Sequence, residues 1–212
     1  MTYGTEKVIK YCGGVFVPKV FSEYDRNTIR ANLMRLGLEV LENGGYKAAS
    51  IEDIARQAGI AKGTFYNFFP SKEHFYFEIM LSIRDKNRND FHEFISSNNK
   101  LDKKKVEDFL FERYAKRKNV YHYFSTDEFN IIFRKIPKQI SITNIDSTSF
   151  AAGLFAQIPN VNPEINKEVV VNIMNIMGSY AADKGLMSAG SREETISFLA
   201  NALASYIIEG GE

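Results

Sequence analysis

The residues in this chain best suited to chemistry do not form an enzyme's set. One cysteine, Cys12, and three histidines, His74, His92 and His122, allow no internal disulfide or cysteine metal cage and leave little for imidazole catalysis. A Ser/His/Asp arrangement, a Gly-rich phosphate loop and a helical His-Glu-x-x-His zinc motif are all missing, and no carboxylate pair is singled out by spacing. What does cluster is a group of polar residues with one glycine among them: Ser50, Lys62, Gly63, Thr64, Tyr66, Asn67 and Lys72. Ammonium, hydroxyl and amide groups so close together, with a glycine that admits close backbone approach, suit an anionic surface rich in acceptors. They do not suit bond breaking. No cofactor and no metal is expected.

Such donors need a rigid mount, and the flanking sequence supplies one. Ile29, Leu33, Leu36 and Val40 recur at the spacing of one helix face. Ser22 with Asp25 opens that helix as a capping box, and Asn43-Gly44-Gly45 stops it. Ser50 with Asp53 opens a second, short helix through Ile51, Ile54, Ala55 and Ala58, broken at Gly59. A third is expected over Ala61–Phe68. Pro70 interrupts it, and Ser71 caps a long helix to about Phe94. Two short helices meeting at a glycine and packed on a longer first one read as a helix-turn-helix. Ile51, Ile54 and Ala55 fill the core beneath the turn, Ala58 is small where the helices approach, and Phe65, Phe68 and Phe69 are core residues.

The stretch SIEDIARQAGIAKGTFYNFFPSKEHF, Ser50 to Phe75, closely resembles the DNA-binding motif of the tetracycline-repressor (TetR) family. With the first helix, the resemblance covers roughly residues 22–80. It implies that the helix beginning near Ala61 enters the major groove. Lys62 then meets a base edge or phosphate, Thr64 and Tyr66 hold phosphates, and Asn67 reaches a base or the backbone. Lys72 would meet a phosphate at a helix N-terminus, while Ser50 caps its helix and touches a phosphate. Ala61 departs from the serine common in the family, which removes a cap and a hydroxyl. Asp53 reads as a cap.

The 212 residues are 44% hydrophobic, enough for one or two compact domains, and disorder is excluded. The opening MTYGTEKVIK is too polar for a signal peptide, and no apolar run nears the ~18–20 residues of a membrane span. A cytoplasmic location is expected. The net charge of +1 hides two halves. Residues 1–122 hold 21 Lys+Arg against 16 Asp+Glu, and residues 123–212 hold 6 against 10. The motif itself is barely basic, with 8 against 7 over residues 19–75. Affinity for DNA must therefore rest on a few placed contacts and on doubling by symmetry.

The expected fold is all-α. An N-terminal arm (1–21) precedes a three-helix DNA-binding domain (22–80) and a larger helical domain for ligand binding and dimerisation (81–212). Body helices are expected over Leu101–Lys118, Thr126–Lys135, Ser147–Gln157, Asn162–Lys184 and Ser191–Glu209, the last opening as a capping box with Glu194. From Val169 to Met177 seven of nine residues are apolar. The dimer surface is accordingly placed on Val170, Ile173 and Met177 with Ile196, Leu199, Leu203, Tyr206 and Ile207, forming an intersubunit four-helix bundle as the family resemblance implies. Phe198 and Ala202 lie alongside. An aromatic set suits an apolar effector pocket edged by hydroxyls, where the resemblance also implies one: Phe111, Tyr114, Tyr121, Tyr123, Phe129, Phe133, Phe150, Phe155, Met174 and Tyr180. His122 reads as a partly buried hydrogen-bonding residue, and Lys103–Lys105 as a solvated face. The reading is a homodimeric transcriptional regulator, a repressor released from a two-fold-symmetric operator by a small apolar effector. Two alternatives stand beside it: a helical binding or enzyme domain using the helix-turn-helix only for packing, and a DNA-binding protein without an effector.

Overall fold

In a computed structural model of the chain, residues 22–98, 101–137, 160–182 and 188–208 are described. The expected N-terminal arm, the helix at Ser147–Gln157, and Phe150 and Phe155 lie outside them. Four helices build the head: α1 (Glu23–Ala48), α2 (Ile51–Gln57), α3 (Lys62–Phe65) and the first half of α4 (Lys72–Ser96). The body adds α5 (Lys103–Phe111), α6 (Thr126–Lys135), α7 (Lys167–Ala182) and α8 (Arg192–Ile207). A π-helical turn, Glu112–Lys116, extends α5, and 3-10 turns occupy Val120–His122 and Ala189–Ser191. Among the described residues, β pairing is limited to an antiparallel bridge between Val161 and Ile208. The chain is all-α.

Local chemistry sets the helix ends. At α1, the Ser22 hydroxyl and Asp25 carboxylate cap each other's backbone amides. Gly45 breaks the same helix with φ +74°, a left-handed conformation open to glycine, so the last turn to Ala48 leaves in a new direction. Ser50 accepts from the Asp53 amide at 3.3 Å and Ser71 from the His74 amide at 3.0 Å. Ser125 and Glu128 form a full capping box on α6.

Two expected boundaries move, and one expected capping box is not formed. The third helix stops at Phe65 rather than Phe68, because the chain tightens into i→i+3 turns before Pro70; the Asn67 amide donates to Thr64 and the Phe68 amide to Phe65. Asn162-Pro163 makes a turn, not a helix start. Asn162 Oδ1 takes the Glu164 amide, and Asn166 Oδ1 takes those of Glu168 and Val169, so Asn166 caps α7. Ser191 and Glu194 do not form a capping box. Ser191 ends the Ala189–Ser191 3-10 turn with φ −107° and ψ 11°, and its hydroxyl makes no cap bond.

Two hydrophobic cores result, threaded by α4. The head core gathers Leu33, Ile54, Phe65, Phe69, Phe75 and Ile79, and it also takes in Phe124, Ile132 and Ile136 from around α6. Its aromatic centre is edge-on: Phe75 lies 5.2 Å from Phe65, 4.7 Å from Phe69 and 4.9 Å from Tyr76, centre to centre. The body core packs Phe91 and Ile95 of α4 against Leu110, Val170, Met177 and Leu203. α4 thus contributes buried residues to both cores.

Candidate nucleic-acid interface

The helix-turn-helix is closed from beneath. Ile54, Ala55 and Phe65 are fully buried, and Gly59 turns the chain with φ +72°. The Ile60 amide then donates back to Ala55. With Phe65 and Phe69 held inside, α3 presents Lys62 and Gly63 outward, the turn after it presents Tyr66 and Asn67, and Thr64 is half-buried. Tyr66 stays exposed although its ring meets Phe65 edge-on at 5.4 Å. Ala61 sits at the cap position of α3 with no side-chain bond, as its lack of a hydroxyl requires. Phe68 is only half-buried, and Arg26 of α1 lies over its ring at 5.3 Å.

The charged residues of this surface are already engaged. Lys62 Nζ lies 3.3 Å from Glu52 Oε2 across the turn, and Arg56 pairs with Asp53. Lys72 behaves differently from a free phosphate ligand. Its ammonium donates to the Ala49 carbonyl at 2.7 Å and sits 4.5 Å from the centre of the Tyr46 ring. Burial pushes its pKa down, against the opposing pull of Glu73 and Glu128. The same enclosure pushes the Tyr46 phenol up to about 12, through burial first and then Glu73 and Glu128. Lys72 thus pins the start of α4 to the junction of α1 and α2. Ser50, next to that carbonyl, is likewise occupied as the α2 cap.

The body departs further from expectation. Val170, Met177, Ile196, Leu203 and Ile207 are buried within the single chain, so they cannot form an intersubunit face. Ile173, Leu199 and Tyr206 are half-buried. The apolar residues that α7 and α8 leave outside are others: Val169 (41% exposed), Ile176 (52%) and Phe198 (73%).

The aromatic set likewise divides instead of lining one chamber. Tyr114 and Tyr180 are buried in the body core with Phe111 and Met174 against it. Tyr123, Phe129 and Phe133 pack against the head core. Tyr121 lies at the seam, its ring 5.6 Å from Phe129 and its edge close to Gly178 of α7. Burial and Glu42 push the Tyr123 phenol up to about 12. His122 is half-buried and accepts the Asn119 amide at 3.1 Å through Nδ1. A residue given no role from sequence, Arg113, is buried beside Tyr114; its neighbours in the run Arg-Tyr-Ala-Lys-Arg-Lys disguise it as part of a solvated stripe.

A short outward-facing helix braced on a three-helix core, carried by an all-helical body, is the architecture of a helix-turn-helix DNA-binding head on a helical body. Residues 33–79 match the family model for bacterial regulatory proteins of the tetR family. A 50-residue stretch is 40% identical to the HTH-type transcriptional repressor DhaR of Mycobacterium sp. (strain GP1), covering 24% of this chain and 25% of DhaR. The alignment thus spans about a quarter of that relative's length. Likeness of fold extends much further. A Mesorhizobium loti MAFF303099 structure described as a TetR-family transcriptional regulator superposes with a TM-score of 0.60 at 14% identity, over 86% of this chain and 98% of that one. The reduced form of E. coli NemR gives 0.56 at 12% identity, over 85% and 97%. Residues 33–79 thus carry the DNA-binding motif of the tetR family, and the whole helical fold is like that of solved TetR-family regulators. Among the described residues no helix is long and apolar enough to cross a membrane.

Proposed function

We propose that the protein is a homodimeric repressor that binds a two-fold-symmetric site on double-stranded DNA and leaves it when a small, largely apolar effector occupies the body. The division of α3 carries this reading. Phe65 anchors the helix inside, while Lys62, Gly63, Tyr66 and Asn67 face solvent together. That outward set offers an ammonium, a phenol and an amide to an acceptor-rich surface. Lys62 reads a base or phosphate after parting from Glu52, Thr64 and Tyr66 take phosphates, and Asn67 reaches a base or the backbone. Lys72 and Ser50 act mainly by holding the head's geometry, with phosphate contact secondary.

Pairing of two chains follows from the outer face of α7 and α8. Val169, Ile176 and Phe198 are exposed there, and their burial against a second copy would complete a four-helix bundle. Two heads then meet successive major grooves about 34 Å apart. The sign of regulation is taken from DhaR, a repressor. An effector acts by favouring a state in which α4 holds the heads off that spacing. Selection of bound DNA from a random library tests the core of the proposal. A two-fold-symmetric sequence is expected. No enriched sequence, or an isolated half-site bound by one chain, would overturn it.

A further inference from the structure

Arg113 is the least expected residue of the body. It lies on the π-helical turn Glu112–Lys116 and is only 8% exposed. Among the described residues no carboxylate pairs with it. Its Nη1 donates one long bond, 3.5 Å, to the Lys118 carbonyl, and its guanidinium lies 5.8 Å from the Tyr114 ring centre. The acid in range, Asp90, bonds to Arg117 at 3.2 Å instead. A guanidinium has five donors, and buried cations are normally paired. Burial pushes the Arg113 pKa down, with Tyr114 and Asp90 acting the other way.

The π-turn explains how this cation comes to be inside. In a regular α-helix, sequence neighbours point about 100° apart, and the wider turn here changes the direction in which Arg113 and Tyr114 leave the backbone. The widened turn buries both, and such turns recur at functional sites. Tyr114 lies within electrostatic reach of Tyr121, and Tyr121 within reach of Arg84 on α4. Gly178 makes room on the other side. A Cβ there would stand 3.1 Å from the Tyr121 ring, and the Gly178 carbonyl accepts from Asn119 Nδ2 at 3.1 Å. Arg113 and Tyr114 of the π-turn thus share an electrostatic neighbourhood with Tyr121 of the 3-10 turn and Arg84 of α4, and Tyr121 packs beside α7.

We infer that the effector is a small apolar acid whose carboxylate is bound by Arg113, with the Tyr114 and Tyr121 hydroxyls beside it and Arg84 extending the positive field to α4. This rests on the effector reading proposed above and gives the effector a chemical class. It also gives the ligand a path to the heads. An anion at this point adds attraction between the body and the helix that is buried in both cores.

The test uses the full chain and matched probes: octanoate and 3-phenylpropanoate against octanol and 3-phenylpropanol, measured by calorimetry. The acids should bind at least about tenfold more tightly than the alcohols, the worth of a charge-assisted bond. Arg113→Met should reduce that preference to within about twofold, and Arg113→Lys should keep part of it. Equal binding of acid and alcohol, no acid binding at millimolar concentration, or a preference that survives Arg113→Met would overturn the inference. If Arg113→Met does not fold, the wild-type ratio and its reduction in Arg84→Met decide instead. DNA binding is measured in parallel without probes. Its loss refutes the regulator reading and leaves the acid preference measurable, while intact DNA binding without acid preference refutes only the present inference.

Discussion

Replacing Gly37 by alanine tests the tightest contact in the head, the crossing of α1 on α4. A Cβ at Gly37 would stand 2.6 Å from both Phe75 Cε1 and Ile79 Cδ1, and closer still to Phe75 Cζ. Ordinary carbon contacts lie at about 3.5–4.0 Å, so the ring or the helix must yield by about 1 Å. Phe75 has nowhere to go. It is fully buried and wedged among Phe65, Phe69 and Tyr76. Overpacking of this kind costs about 1–3 kcal/mol, while alanine's better helix propensity returns about 1 kcal/mol. A displacement this large in a closed cluster belongs at the upper end, which gives a net loss of about 1–2 kcal/mol. Urea unfolding followed by circular dichroism should show the midpoint falling. Phe75→Leu on the Gly37→Ala background, by shortening the opposing side chain, should recover part of the loss, with a coupling above about 0.5 kcal/mol. A single variant as stable as the wild type, or strict additivity in the double variant, would refute the argument.

Other outcomes follow from the surface and the ion pairs. Phe198→Arg should leave the chain monomeric in sedimentation and reduce its affinity for the full DNA site to that for a half-site; a dimer that persists would remove α8 from the interface. Glu52→Gln frees Lys62 from an exposed pair worth about 0–1 kcal/mol, so DNA binding should tighten by up to about fivefold, and weaker binding would show that the pair assists docking. The Glu73 carboxyl, 14% exposed, is raised by burial, but the Lys135 ammonium at 2.9 Å, a backbone amide and Ser71 outweigh this and hold it below the usual range. A lowered folded pKa stabilises above the unfolded value of about 4.3 and is lost as pH falls through the folded one. Lys135→Met should therefore cost about 0.5–1 kcal/mol near neutrality, discounted for its exposed ammonium, and little once Glu73 is protonated; a difference that does not shrink in acid would point to packing instead.

The head was legible because its signals are local. Ser22, Ser50 and Ser71 cap within three residues of themselves, and Gly59 marks its own turn. The length of α3 was misjudged because the i→i+3 tightening before Pro70 competes with helix continuation at an energy no periodicity records. On α7 and α8 apolar residues occur nearly all round, so spacing could not separate Val170 and Met177, which face the chain's own core, from Val169 and Ile176, which do not. The aromatic residues failed differently. Composition gathered them into one group, but their assignment to two cores depends on where α6 docks. Arg113 was invisible because its basic neighbours mark the stretch as solvated, while the π-helical turn that holds it leaves no trace in the periodicity.

The docking of α6 bears on how such proteins can be recombined. Phe124, Ile132 and Ile136 belong to the same buried cluster as Leu33, Ile54 and Phe75, so the DNA reader does not end where its sequence motif ends. A chimera cut after residue 80 would set these three side chains against foreign partners and open a seam in the reader's own core. Exchange that preserves specificity should carry α6 along with the motif, as a discontinuous cassette. For the same reason, substitutions that drift in through α6 can retune DNA reading without touching a residue near the groove.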